Sequence, residues 1–370
     1  MAVEPSTEFT LDTASVLAAE EGAAAVVGRS PWELAWRRLK RNKVAWLFLV
    51  IFLLIVLAAI FAPLYKDYVA HTGPNENHIG ESVTVNGRQL PVLSKGGVTI
   101  GPNGQATITG VAGVPIGPQW GAAGGRFILG ADLNGRDVAV RLLYGSRNSL
   151  IVGIGSALLC TFLALVLALL AGYYGGITDW VITRFFDIIW AFPVFLLAIA
   201  LGTALSINGF HHKLLWLVPI NIASGSLWIP TLVISYVLIP YIGRPLRGQV
   251  LSLREKEFIE AAVAQGAGPA RIMFAELLPN IASSVLVFFT LIIANNILTE
   301  AGLSFLGAGV QPPNPSWGTL IAEGEDRLST APWLTLVPGI AIVLTVLSLN
   351  VFGDGLRDAL DPRAKVRVEH

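Results

Sequence analysis

Long apolar runs alternate along the chain with segments rich in charged, glycine or proline residues. A helix needs about 20 apolar residues to cross the ~30 Å hydrocarbon core of a bilayer. Six runs meet this need, and they predict an all-α polytopic membrane protein with six transmembrane helices. The runs are 44–62, 150–172, 180–205, 214–242, 281–298 and 333–352. The fourth is longer than one crossing needs, and the Gly and Ser residues at 224–226 leave room for a bend.

Composition supports the membrane assignment. Apolar residues make up 54% of the chain and charged residues 14%, whereas roughly a quarter of an average soluble domain is charged. The formal net charge is zero, so nothing suggests a nucleic-acid partner. The single cysteine, Cys160, lies in the second run and is expected to be a small packing residue without a disulfide partner in the chain.

Lysine and arginine are concentrated in three of the segments that flank the runs. These segments precede the first run (37–43), follow the fourth (244–271) and follow the sixth (357–367). An even number of crossings places all three on one side of the membrane. Cations in short flanking loops mark the cytoplasmic side. The sequence therefore predicts a multi-pass protein of the cytoplasmic (inner) membrane with both termini in the cytoplasm.

The two ends of the chain are expected to lie in the cytoplasm. Residues 1–29 are acidic and alanine-rich, and we interpret them as a disordered tail rather than a cleavable signal, because the first apolar run starts late and is long enough to span. Residues 30–43 predict an amphipathic helix on the inner leaflet, although a simple continuation of the first span fits equally well. Residues 353–370 are interpreted as a C-terminal cytoplasmic tail.

Segment 71–126, between the first two runs, is rich in Gly, Val, Thr and Pro. Alternating apolar residues flank an Asn-Gly pair at 86–87 and a Gly-Pro-Asn-Gly turn at 101–104. Such pairs favour β-hairpins. We therefore expect a small extracytoplasmic β-rich insert, with a disordered loop as the alternative. The remaining chain, 127–352, would form a core with five further transmembrane helices.

The polar loop 244–279, between the fourth and fifth runs, contains a short helix signal. Glu260, Ala261 and Ala262 favour a helix, and Gly266 is a natural stop. Pro269 suits the first turn of the next helix. Small alanine side chains let another protein approach closely. The pattern predicts a docking surface, with an ordinary cytoplasmic loop as the alternative.

This loop resembles the E-A-A-x3-G-x9-I-x-L-P loop of the membrane subunits of binding-protein-dependent ABC importers. In that family the loop is the coupling helix that seats in the ATPase subunit. One position departs from the pattern, since Glu276 stands where the family has Ile. The resemblance implies a coupling role for Glu260, Ala261, Ala262, Gly266, Arg271, Leu278 and Pro279.

Three further segments, 129–150, 300–318 and 353–362, resemble dipeptide and oligopeptide permease subunits. The likeness extends from about Trp32 to Pro362. From the residues alone, the helical pattern after Val138 predicts an interfacial helix with Arg141 and Arg147 on a solvated face. Trp317 is expected at the membrane interface.

Together these resemblances imply the transmembrane domain of a type I ABC importer, acting as a permease subunit. The partners implied are a homologous permease, two ABC ATPases that bind ATP and Mg, and an extracytoplasmic substrate-binding protein, all in contact with membrane lipid. The chain has no Gly-x-x-x-x-Gly-Lys-Ser/Thr sequence, so we expect no cofactor and no enzymatic activity of its own.

Polar residues inside the apolar runs are candidates for a translocation path or a gate, because charge at bilayer depth is costly. Arg184 and Asp187 stand one helical turn apart and can form a structural ion pair or take part in gating. Asn295, Asn296 and Glu300 can face a path, or they can hydrogen-bond between helices. No metal site is expected.

Peptides are the expected cargo, while nickel complexes, glutathione-like compounds and glycans remain open. One rival is a stand-alone secondary transporter, which would need ionisable residues near the midplane and often has inverted repeats. Another is a membrane scaffold or receptor that binds a ligand through the insert. Neither rival explains the match in the loop 244–279.

Overall fold

The computed structural model describes residues 31–85, 87–100, 106–109, 112–120, 125–214 and 218–360. The predicted tail 1–29 and the last ten residues of the predicted tail 353–370 lie outside the described residues. The described helices, in chain order, are α1 (Pro31–Arg41), α2 (Lys43–Ile60), α3 (Ala62–Tyr65), α4 (Val138–Tyr174), α5 (Gly176–Trp190), α6 (Val194–Asn208), α7 (Trp228–Arg254), α8 (Glu257–Ala264), α9 (Pro269–Phe305), α10 (Trp317–Gly324) and α11 (Trp333–Leu360).

Five helices are long and apolar enough to cross a membrane, namely α2, α4, α7, α9 and α11. The pair α5 and α6 passes the same test together, but it is bent by 85° at a short break. The number of candidate spans is therefore five, or six if the bent pair crosses once. This confirms the all-α membrane fold predicted from the apolar runs.

The third apolar run is not one straight helix. Helix α5 ends at Trp190 and α6 begins at Val194, directly after Pro193. Proline has no amide hydrogen to donate and restricts the residue before it, so it starts a new helix more readily than it continues an old one. The expectation of a single helix over 180–205 was wrong for this reason.

The fourth run also differs from its prediction. It begins inside an antiparallel hairpin: β5 (Phe210–Leu214) ends at the first residue of the run, β6 (Val218–Ile222) lies within the run, and α7 begins only at Trp228. Gly225 has a positive φ of 78°, so the predicted bend at 224–226 is a turn before the helix. At its other end α7 continues to Arg254 and so includes the first part of the predicted loop 244–279.

The core is built where α4 packs against α7 and α9. Small side chains line the buried stripe of α4 at helical spacing, and all are fully buried: Ala157, Cys160, Ala164, Ala168 and Ala171. Small residues allow helix backbones to approach closely in a membrane. Cys160 is free and buried, in agreement with its predicted packing role.

The bundle has two ends, which we name by their contents. The insert end carries the segment 71–137 and α10. The loop end carries α8 and the last turns of α7 and α11. Helix α1 also lies there, where Leu39 packs with Ala45 and Ala359. Both predicted hairpins are present at the insert end: β1 (Ser82–Val85) with β2 (Arg88–Pro91), and β3 (Gly97–Ile100) with β4 (Ala106–Thr109).

Candidate coupling and translocation sites

Helix α8 lies at the loop end between α7 and α9. Its first turn carries Glu257 and Glu260, whose charges suit the positive end of the helix dipole. Ile259 is its one buried side chain, at 3% exposure. Ile259 packs with Leu169 of α4, Val250 of α7, and Ile272, Met273, Leu277 and Ile281 of α9. One residue of α8 thus belongs to a buried cluster that draws on three long helices.

The backbone geometry at the end of α8 explains why glycine stands at position 266. The Ala267 amide donates to the Ala262 carbonyl at 3.0 Å, and the Gly266 amide donates to the Val263 carbonyl at 2.9 Å. This pair of bonds is a Schellman motif, which needs a left-handed residue after the helix. Gly266 supplies it with φ of +80°. The stop predicted at Gly266 is therefore set by backbone geometry.

The chain then enters α9 after two linking residues. Gly268 is extended, with φ −73° and ψ 164°, and Pro269 occupies the first turn. Residues Ile272–Leu277 are π-helical, directly before Leu278 and Pro279. Pro279 cannot donate to the preceding turn, and π-helical turns are a usual adjustment near such a residue. Leu278 packs on the cluster around Ile259.

The remaining predicted coupling residues lie on the surface of the loop end. Glu260, Ala261, Gly266, Arg271 and Pro279 are exposed, and Ala262 is half-buried. Glu260 also lines a hollow between α4, α7, α8 and the start of α9. Its other lining residues are Tyr173, Tyr174, Arg254, Ile259, Val263, Ala264 and Pro269. The surface of α8 beside this hollow is open to a partner.

The predicted ion pair between Arg184 and Asp187 is present, with a nitrogen–oxygen distance of 3.1 Å. Asp187 also accepts a bond of 2.8 Å from Arg244 of α7. The Arg244 guanidinium lies 4.5 Å from the ring centre of Trp190. A second carboxylate of α5, Asp179, accepts two bonds from the guanidinium of Arg247. Two ion pairs therefore fasten α5 to the loop-end half of α7.

From the sequence, Arg244 and Arg247 were only part of the cation-rich segment 244–271, and Asp179 had no predicted role. Asp179 and Asp187 stand eight residues apart, and Arg244 and Arg247 three apart, so each pair follows one face of its helix. This spacing was visible in the sequence. The pairing was not, because it depends on how α5, which ends just before the break at Pro193, packs against α7.

The three polar residues predicted in the fifth run occupy different environments. Asn296 is fully buried and lies 2.8 Å from the Ser156 hydroxyl of α4. Glu300 is also fully buried and accepts a bond of 2.6 Å from Ser304. These two lie inside the chain's own packing. Asn295 is half-buried and lines an open cavity.

That cavity lies between α7, α9 and α11. Its lining residues are Tyr241, Leu291, Ala294, Asn295, Leu298, Val346 and Asn350. Among the described residues, none hydrogen-bonds to the side chains of Tyr241, Asn295 or Asn350. Two further hollows share Leu291 and continue towards the loop end, past Arg244 and then past Gln249 and Arg357. The three hollows therefore adjoin at Leu291 along one face of the bundle, which we call the groove between α7, α9 and α11.

The insert end contains a charged cluster that contradicts the prediction of a solvated Arg141. Arg141 is 1% exposed and donates to Glu323 of α10 at 2.8 Å. Arg136 binds the same carboxylate at 2.8 Å, and both arginines contact Asp132. Helix α4 is continuous from Val138 to Tyr174, so this region is not a separate interfacial helix. The cluster joins the insert, α4 and α10.

Asp137 and Trp317 stabilise the same junction between the insert, α4 and α10. Asp137 begins α4 by accepting bonds from the backbone amides of Ala139 and Val140, at 2.8 and 3.2 Å. Burial raises the pKa of its carboxyl group above the ordinary value. Trp317 is fully buried, and its Nε1 donates to the Ser146 hydroxyl at 3.0 Å. The expectation that Trp317 lies at the membrane interface was wrong, because this hydrogen bond satisfies the indole inside the bundle.

Comparison with known families assigns the fold. Residues 164–366 match the family model described as binding-protein-dependent transport system inner membrane component. The chain belongs to this family. Residues 30–79 match a second model, the N-terminal transmembrane domain of oligopeptide transport permease C. The protein is accordingly a multi-pass inner-membrane permease subunit of an ABC importer.

Two relatives illustrate the breadth of this permease family. The dipeptide transport system permease protein DppC of Alkalihalophilus pseudofirmus is 37% identical over 91% of this chain and 91% of its own. The glutathione transport system permease protein GsiD of Pectobacterium atrosepticum is 34% identical over 91% of this chain and 93% of its own. A solved structure, the inward-facing MetNI methionine ABC transporter, has 18% identity and a TM-score of 0.47 over 60% of this chain and 96% of that chain.

Proposed function

We propose that this permease imports peptides, together with a second, homologous permease. Two ABC ATPases would bind ATP and Mg, a substrate-binding protein would deliver the cargo, and this chain would have no catalytic residue. The dipeptide permease named above supports the cargo class, at 37% identity over most of both chains. The glutathione permease supports a second candidate, a glutathione-like cargo, at 34% identity.

We place the loop end in the cytoplasm and the insert end outside. The cation-rich flanks at 37–43 and 244–271 and the cation Arg357 belong to α1 and the start of α2, to α7–α9 and to α11, all of which reach the loop end. Cations retained in short loops favour the cytoplasmic side. This orientation puts both termini in the cytoplasm and leaves the β-hairpins available to the binding protein.

The coupling proposal rests on the way α8 is attached to the rest of the bundle. This helix is held by Ile259, while Glu260, Ala261 and the Gly266 turn remain exposed. An ATPase seated on this surface would displace α8. Because Ile259 shares one buried cluster with residues of α4, α7 and α9, that displacement would act on a cluster common to three membrane helices. Arg271, Leu278 and Pro279 belong to the start of α9, which would respond first.

The groove between α7, α9 and α11 is our candidate for this chain's half of the translocation path. Unpaired polar groups at bilayer depth are costly unless they face protein or water. Asn295, Asn350 and Tyr241 carry neutral donors and acceptors, which match the groups of a peptide backbone. Asn296 and Glu300 would support helix packing. Arg184 and Asp187, joined to Arg244, would hold α5 beside the cytoplasmic end of the groove.

The decisive experiment isolates the importer under mild detergent through a tag on this chain. Two ATPase subunits and a second permease should co-purify, and ATP hydrolysis should rise with a peptide-loaded binding protein. Proteoliposomes should then accumulate a labelled dipeptide only with ATP inside. If glutathione competes and dipeptides do not, the second cargo candidate replaces the first. A lone chain that moves solute without ATP would refute the proposal in favour of a secondary transporter.

A further inference from the structure

An apolar groove runs along the membrane-facing side of α2 and α4, away from both sites described above. Its α2 wall and the start of α3 supply Val56, Ala59, Ile60 and Pro63, and its α4 wall supplies Arg147, Leu150, Ile151, Ile154, Gly155 and Leu158. Several of these apolar side chains are open to the surroundings, with exposures of 60% for Ile60, 47% for Ile151 and 56% for Leu158.

The groove has the length of one leaflet. Its α4 wall runs from Arg147 to Leu158, eleven helical steps, which is about 16 Å at a rise of ~1.5 Å per residue. Half of the ~30 Å hydrocarbon core is about 15 Å. Because the apolar run of α4 begins at 150, we place Arg147 at the depth of the lipid headgroups, and the groove would then extend to about the middle of the bilayer.

Charge is found only at the headgroup end of this groove. Arg147 is exposed, and among the described residues no carboxylate pairs with it. Lys66 directly follows α3, the short helix that supplies Pro63 to the groove. Lys66 is neutralised by Asp67, at 3.0 Å. One uncompensated positive charge therefore remains at the end of a long apolar channel.

We propose that this groove binds an anionic phospholipid of the leaflet at the insert end. The phosphate lies against the Arg147 guanidinium, which presents a fork of donors suited to phosphate oxygens. One acyl chain lies between α2 and α4 and covers Ile60, Ile151 and Leu158. The bound lipid fills the space between the first span and the core of the permease and holds α2 against α4.

The assembled importer, purified in mild detergent, provides the test. The probe is a mixture of phosphatidylglycerol and phosphatidylcholine, and native mass spectrometry counts the lipids retained. The wild type should retain phosphatidylglycerol preferentially. Arg147→Gln should lower this retention about fivefold, the factor expected for one cationic contact with an anionic lipid. Arg147→Lys should preserve most of it.

Lys43→Gln is the matched control. It removes an exposed cation from α2 at the opposite end of the same helix pair, so it changes net charge equally. Retention should stay at the wild-type level. Equal lipid loss in both Gln variants, or no loss in Arg147→Gln, would overturn the proposal.

A protein occupant is distinguished by cross-linking from the groove itself. Ile151→Cys introduces an accessible thiol, whereas the native Cys160 is buried and unreactive. In the assembled importer this thiol should react with a lipid-soluble maleimide and form no cross-link to another subunit. A cross-link to the second permease would show that a protein helix covers the groove and would refute the lipid assignment.

Discussion

The turn at Gly266 permits a sharp test of the coupling account. Gly266 has φ of +80° and ends α8, whereas Gly268, two residues later, has φ of −73°. A Cβ built at either position meets no atom within 4 Å, so crowding is excluded at both. The substitutions Gly266→Ser and Gly268→Ser therefore differ mainly in backbone strain. Serine also suits position 268, where the residue caps α9.

The magnitude follows from the left-handed conformation. A residue with a Cβ pays ~1–2 kcal/mol there. If the ATPase binds α8 only with its Schellman end intact, Gly266→Ser should weaken association roughly 5- to 30-fold. This loss of affinity requires that the free loop escapes the strain by relaxing, so that binding must restore the strained conformation. Gly268→Ser should leave affinity unchanged within about twofold, since its conformation is open to any residue.

The assay is binding of purified ATPase subunits to the permease pair in nanodiscs, followed by surface plasmon resonance. Uptake per ATP hydrolysed, measured in proteoliposomes, gives a second readout. Gly266→Ser should lower both, with normal amounts of permease in the membrane. Equal affinities for the two serine variants would show that the geometry at the end of α8 does not matter for docking, and the reasoning would fail.

Three further perturbations test separate parts of the account. Glu260→Lys should weaken ATPase association at least threefold more than Glu257→Lys. Both variants lose the same ~0.3–1 kcal/mol of helix-dipole stabilisation, and only Glu260 is assigned a docking contact. Equal losses of affinity in the two variants would show that Glu260 makes no such contact. Asn295→Leu should slow peptide uptake while ATPase association stays normal, and unchanged uptake would take Asn295 out of the path. Gly318→Ala places a Cβ 2.2 Å from the Ala301 carbonyl oxygen. It should destabilise the permease by ~1–3 kcal/mol in a thermal-shift assay, whereas Gly339→Ala, with open space around it, should not.

Local signals in the sequence were sufficient where one segment determines its own structure. The Asn-Gly pair at 86–87 predicted the β1–β2 hairpin because that turn needs a positive φ, and Gly87 has φ of 76°. The same reasoning placed the end of α8 at Gly266. Apolar length alone located five of the spanning helices.

The failures arose where packing between distant segments decides the outcome. Arg141 looked solvated because its helix pattern is amphipathic, yet Glu323, far along the chain, pairs with it inside the bundle. Trp317 was assigned to the interface by residue preference, but Ser146 gives its indole a buried partner. Asn296 and Glu300 were grouped with Asn295, although the rotation of α9 turns only Asn295 towards the open groove.

The most direct measurement of the central claim is a cross-link from α8 in the working importer. Val263 is 55% exposed beside Glu260, so Val263→Cys presents a thiol on the proposed docking surface. Cys160, buried in the core, will not compete for the reagent. We predict that a short bis-maleimide joins Val263→Cys to an ATPase subunit and that the yield changes when ATP binds. A fully assembled, ATP-hydrolysing importer in which this thiol reacts freely and reaches no ATPase would contradict the account.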